Sequence, residues 1–299
     1  MQLNMNSFKL KGHRSFYLRD GWINKGLMNV SAFHSEYPVD ELGVGDAMVY
    51  AIRYYLETME LIDSVKVSNK KNYFLTEKFG EIINKYDRYL EDDFTIWLLH
   101  YKFVKNIEEA TSFNIFFNLF DYEEFTKNEL NDYIYNIIEK QNLGKAISKK
   151  SIKSDVDCII KNYNISSLNE KATPEENFSS PFIELGLLSE KDRNSERIYM
   201  KNKPDFSTLN EYVLYYVMLE QIGDKESISI ENLLCNINNI GKIFNLDRYL
   251  INEYLDKLEK KELIVVNRTA GLNQVYINKI PLESVLDQYY NRGEVVIDE

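Results

Sequence analysis

Residues 227–237 read SISIENLLCNI and residues 245–262 read NLDRYLINEYLDKLEKKE, followed by ELIVVNR (262–268) and QVYINK (274–279). In the second segment Leu246, Leu250, Tyr254, Leu255 and Leu258 recur at helical spacing, and two such segments in succession predict two amphipathic helices. The short β-branched runs on either side of a polar turn predict a β-ribbon. Helix, helix and ribbon in that order describe a winged helix, whose second helix enters the major groove in many DNA-binding proteins.

The same order occurs twice more. ELGVG (41–45) opens AMVYAIRYYLETMEL (47–61), with VKVS (65–68) and NYFLT (72–76) as the ribbon. FTKNELNDYIYNIIEK (125–140) and KKSIKSDVDCIIKNYN (149–164) precede IELGLL (183–188) and ERIYM (196–200), which predict a third strand pair. The expected fold is mainly α (α+β), built of tandem winged helix-turn-helix units with small β-ribbon wings. Its expected divisions are an N-terminal winged helix at 1–88, a helical connector at 89–125, a middle winged helix at 126–204, and a C-terminal winged helix with its tail at 205–299. In the connector Phe94, Trp97, Leu98 and Tyr101 share one helix face, and SFNIFFNLF (112–120) is almost wholly apolar. Thr126 with Glu129 has the spacing of a capping box. SSLNEKATPEENFSSP (166–181) reads as a polar loop, and the tail after Pro281 as a short helix with an extended acidic end.

Only Cys158 and Cys235 are present, far apart, which excludes a disulfide framework and a thiolate zinc site. The N-terminus has no apolar stretch long enough for a signal peptide and no run approaches the length of a membrane span, so a cytoplasmic protein without membrane contact is expected. The net charge of −11 opposes a simple polyanion-binding reading. The charge is uneven: residues 1–78 carry a net +1, residues 79–141 a net −7, and the remainder −5. The N-terminal third is therefore where a nucleic-acid contact is expected.

Three basic clusters follow from this. In the first, His13, Arg14, Arg19 and Lys25, with Lys9 and Lys11, interleave with Phe16, Tyr17 and Trp22, a mixture suited to phosphate contact plus stacking. In the second, Arg53 and Tyr50 lie on the first unit's long helix, with Lys66, Lys70 and Lys71 on its ribbon. In the third, Lys149, Lys150 and Lys153 open the middle unit's second helix, where recognition helices make their base contacts. Asp155 and Asp157 do not share a helix face and are set aside as a metal pair. Enzyme signals are sparse. Gly43-Val44-Gly45 lacks the third glycine of a dinucleotide loop, His13, His34 and His100 lack metal-ligand spacing, and Glu91-Asp92-Asp93 suits a helix cap. A non-enzyme without cofactor or metal is expected.

Several motifs resemble those of the uncharacterised bacterial family known as domain of unknown function 4007. They are GHRSF (12–16), R-x-G-W-x-x-K from Arg19 to Lys25, LGVG-x-x-MV-x-x-IRY from Leu42 to Tyr54, YLEDD-x-T-x-WLLH from Tyr89 to His100, FFN (116–118), DVDC (155–158), SP-x-x-ELGL (180–187) and AGL (270–272). The chain departs from that pattern at Arg14-Ser15, where the family usually has Glu-Thr, at Asp46-Ala47, where it has Lys-Asn, and at Tyr55, more often Trp. The missing lysine at position 46 weakens phosphate contact at the head of that helix. The resemblance implies a bacterial protein found near DNA phosphorothioation and other anti-phage defence genes, and imports no catalytic mechanism. Together with the basic clusters it points to a non-catalytic component of such a system that binds double-stranded DNA, modified or unmodified, beside a sulfurtransferase-like or ATPase partner. The rival reading is a protein-interaction scaffold that touches no DNA.

Overall fold

Ser68 (φ 47°) and Asn69 (φ 67°) both sit in the left-handed region, the geometry of a two-residue hairpin whose twist matches that of its strands. In a computed structural model that describes residues 5–141, 143–167 and 179–292, this hairpin closes the first of three small antiparallel sheets. Most of the 166–181 loop and the acidic C-terminal end lie outside the described residues.

The first third comprises α1 (Trp22–Met28), a 3₁₀ turn (Val30–His34), α2 (Pro38–Leu42), α3 (Asp46–Thr58), β1 (Ile62–Val67), β2 (Lys70–Leu75) and α4 (Gly80–Tyr86). Then come α5 (Asp93–Lys105), α6 (Thr111–Asn118), β3 (Glu124–Phe125), α7 (Lys127–Lys140), α8 (Lys149–Tyr163), a 3₁₀ turn (Pro181–Leu185), β4 (Leu188–Arg193) and β5 (Glu196–Lys201). The last third holds α9 (Glu211–Ile222), β6 (Ser227–Ser229), α10 (Ile230–Cys235), α11 (Ile240–Ile243), α12 (Arg248–Lys260), β7 (Ile264–Asn267), β8 (Gln274–Ile277) and α13 (Leu282–Tyr290).

The second and third sheets share one path: a short strand, helices, then a strand pair whose second member lies between the other two, in the orders β3-β5-β4 and β6-β8-β7. Each short strand, two or three residues long, does not register as period-two alternation, and neither is among the sequence expectations. The first sheet has only β1 and β2. The outward N–H of Tyr73 on β2 instead donates to Nδ1 of His34 at 3.0 Å, so an imidazole from the 3₁₀ turn stands where a third strand would pair. In the middle unit the IELGLL run is not one strand: residues 181–185 form the 3₁₀ turn, Gly186 (φ 65°) ends it, and β4 starts at Leu188. Thr126 and Glu129 form the expected capping box of α7.

α5 is buried on every side from Phe94 to Val104, not only along the expected face, because α3, α6, α9, α11 and the second 3₁₀ turn all pack against it. α9 is likewise buried from Val213 to Leu219. A helix apolar all round belongs in a core, and one continuous core runs through all three sheet-bearing regions. Lys102 and Lys105 of α5 pair with Glu60 and Glu220, at 2.7 Å to Glu60 in each case, tying the end of α3 to α9. His100 is 0% exposed. Its Nε2 lies 3.0 Å from the Ile243 carbonyl, to which it donates, and Nδ1 lies 2.8 Å from the Tyr163 hydroxyl. One imidazole thus links α5 to α8 and α11.

Burial pushes the His100 pKa down to about 4, against a partial rise from the Ile243 carbonyl. The unfolded chain therefore binds the proton between pH 6.5 and 4 while the folded chain does not, and stability falls as pH falls through that window. Chemical denaturation at pH 7 and pH 4 should show the His100→Gln variant losing about 3 kcal/mol less across the interval than the parent. Identical pH dependence of the two would refute this role.

Candidate nucleic-acid interface

The loop at residues 11–16 is set by a buried carboxylate. Asp155 lies on the inward stripe of α8 with Ile152, Val156 and Ile159, where a charge is costly unless its oxygens are satisfied. Its Oδ1 accepts from the Lys11 backbone N–H at 2.8 Å and faces His13 Nε2 at 2.9 Å, and its Oδ2 accepts from the Ser112 hydroxyl at 2.6 Å. The Ser15 amide donates to His13 Nδ1 at 3.1 Å, which leaves Nε2–H to donate to Asp155. One residue along the helix, the Ser154 hydroxyl donates to that of Ser15 at 2.9 Å. Lys11, Arg14 and Ser15 all have positive φ, at 58°, 53° and 72°, conformations that persist in non-glycine residues only when the surroundings impose them.

Held this way, Arg14 projects from the surface, and its guanidinium lies 4.3 Å from the centre of the Tyr50 ring on α3. One turn along α3, Arg53 lies 5.1 Å from Tyr50 and 5.4 Å from Tyr73 of β2. Lys71 follows at 5.9 Å from Tyr73, and the His34 ring stacks beside Tyr73 at 20° and 6.4 Å. Cations and rings therefore alternate from the loop, across α3, to the ribbon. Glu57 approaches Arg53 and Lys71 only to 3.9 Å. Burial raises the Glu57 pKa by more than Lys71, Arg53 and Lys9 lower it. On the ribbon Lys66 and Lys71 are directly opposite each other, a like-charge pairing that is unfavourable without an anion nearby, and Lys70 stands beside the turn.

Not every expected contact residue belongs to this surface. His13 (1% exposed) and Trp22 are buried, which corrects the expectation that they meet DNA. His13 positions the loop, and Trp22 packs in the core near Phe16. Arg19 lies among Phe16, Tyr17 and Trp22 at 5.4–5.6 Å, a different ring set from Tyr50 and Tyr73, and Lys25 is half-buried in the last turn of α1. Arg14, Arg53 and Lys71 come together as described, whereas Lys70, one residue along β2 from Lys71, lies on the opposite face of the ribbon with Val67. Lys150 and Lys153 are exposed in the first turns of α8, next to the Ser154 contact with the loop, while Lys149 lies over the Tyr135 ring of α7 at 4.7 Å. Asp155 was legible in the sequence as a carboxylate on an apolar stripe, although it was weighed there only with Asp157 as a metal pair and set aside. In the Glu91-Asp92-Asp93 run, Asp92 caps α5 by accepting from Phe94 N–H at 2.9 Å, and it also accepts from the Tyr289 hydroxyl. Among the described residues no group of three or more His, Cys, Asp or Glu is placed to hold a metal ion.

A family model described as "Protein of unknown function (DUF4007)" matches residues 10–290. No curated protein matches. Two solved structures share the fold, a magnesium-bound crystal structure of SspB and a crystal structure of SspB, each with TM-score 0.83 and 24% identity over 96% of this chain and 90% of the other.

Replacing Asp155 with alanine leaves the Lys11 amide, His13 and Ser112 without their buried acceptor. Denaturant unfolding should show a loss of about 3 kcal/mol or more for this variant. A loss below about 1 kcal/mol, the scale of one ordinary hydrogen bond, would mean that the carboxylate does not anchor the loop.

Proposed function

Because the chain belongs to the DUF4007 family, we propose that it is a DNA-binding, non-catalytic component of a bacterial anti-phage defence or phosphorothioation-linked system. The observation that carries this reading is the array of Arg14, Arg53 and Lys71 with Tyr50 and Tyr73, gathered on a chain whose net charge is −11. Local positive charge on an acidic protein lets a polyanion bind at one place while the remaining surface repels it. Lys150 and Lys153 extend the cationic surface beyond the loop. The strand, helices and ribbon shared by the second and third sheets support reading these regions as winged-helix units, and the first region as a unit whose third strand is replaced by His34. The family resemblance supports the defence setting, and the SspB likeness supports the fold.

A second reading, a scaffold for a sulfurtransferase-like or ATPase partner, draws support from the outer face of the first ribbon. There Val65, Val67 and Phe74 are 50%, 49% and 43% exposed. Co-purification of a stoichiometric partner with no DNA affinity would favour it.

Fluorescence anisotropy with a labelled oligonucleotide over a range of salt concentrations tests the DNA reading. Binding should weaken steeply with salt, and Arg14→Glu with Arg53→Glu should cost at least about tenfold in affinity and reduce the salt slope by about two. Salt-independent binding, or no loss in the double variant, would overturn it. The strand should remain intact after incubation with Mg²⁺. Nicking would overturn the non-catalytic part and direct attention to Glu91, Asp92 and Asp93.

A further inference from the structure

The cations of the array lie against ring faces, which is not the arrangement of a groove reader. A groove-reading helix presents its N-terminal turn to base edges, yet α3 opens with Asp46 and also carries Glu57. Its one arginine, Arg53, sits between Tyr50 and Tyr73, and Arg14 covers Tyr50 from the loop. Duplex affinity grows with the number of phosphates neutralised, and the array supplies few charges against a net of −11. Single strands ask for less charge and more stacking surface, which aromatic rings and guanidinium planes both provide.

We infer that the surface formed by Arg14, Tyr50 and Arg53, backed by the buried Tyr73, takes single-stranded DNA in preference to duplex. Unpaired bases stack on the guanidinium planes and the half-buried Tyr50 ring, while Lys66 and Lys71 on the neighbouring ribbon meet the phosphates. The left-handed backbone at Arg14 and Ser15, fixed through Asp155 and Ser154, keeps the first stacking plane in place before any strand arrives. This inference rests on the DNA-binding reading and deepens it by naming the strand state.

Competition anisotropy at fixed ionic strength, with a short labelled oligonucleotide alone and annealed to its complement, separates the possibilities. The single strand should bind at least about tenfold more tightly than the duplex, the scale of one stacked base. Arg14→Lys with Arg53→Lys keeps both charges and removes the planar stacking groups, so single-strand affinity should fall about tenfold while duplex affinity stays within about twofold. Far-UV circular dichroism of the double variant checks its fold. Duplex binding as tight as single-strand binding, or single-strand affinity unmoved by the lysine pair, would overturn this inference and leave the DNA-binding reading standing. A parent chain that binds neither form would remove that reading itself.

Discussion

The carboxylate of Asp155 and the loop it holds depend on each other. A buried carboxylate needs donors, and residues 11–15 supply a backbone amide and an imidazole, with Ser112 of α6 supplying a hydroxyl. In turn, three non-glycine residues of that loop occupy left-handed conformations that cost on the order of 1 kcal/mol each, so they need an anchor stronger than themselves. Arg14 is therefore presented by a device assembled from the N-terminal loop, α6 and α8. That dependence links the electrostatics of the surface to the packing of the interior.

The interior is equally shared. α5 gives its whole circumference to its neighbours, and His100 joins it to α8 and α11 through one ring. The Lys102 and Lys105 pairs with Glu60 and Glu220 join α3 to α9. Three sheet-bearing regions, of which the second and third share one path, are thus fused through one core, and a surface on the first region is positioned by residues from the second.

Periodic elements were the most legible in the sequence. The amphipathic helices α7, α8 and α12 and the strands of the first and third ribbons appear where residue spacing puts them, because each has one wet and one dry face, whereas β4 begins five residues beyond the start of its expected run. On α5 the spacing of Phe94, Trp97, Leu98 and Tyr101 gave one buried face, while the burial of the remaining faces left no periodic mark. The two- and three-residue strands β3 and β6 are too short for alternation to register. In the candidate site the types of residue were legible but not their directions. Residues 11–16 have no regular period, so nothing in the spelling separates His13, turned inward to Asp155, from Arg14, turned outward to Tyr50. Tyr73 was read as a strand residue, and His34 only as a dispersed histidine. Their joint role in closing the β2 edge and extending the array depends on a 3₁₀ turn that no short-range pattern announces.

The central claim is that nucleic acid meets this chain at the Arg14 loop, α3 and the first ribbon. The most direct measurement is photo-crosslinking of a bromodeoxyuridine-containing oligonucleotide to the full chain, with adducts mapped by mass spectrometry. Adducts on Tyr50 or on its neighbours in the Arg14 loop and α3, abolished by unlabelled single strand, are expected. Adducts confined to the C-terminal region around α12, β7 and β8, or none under conditions where anisotropy detects binding, would contradict it.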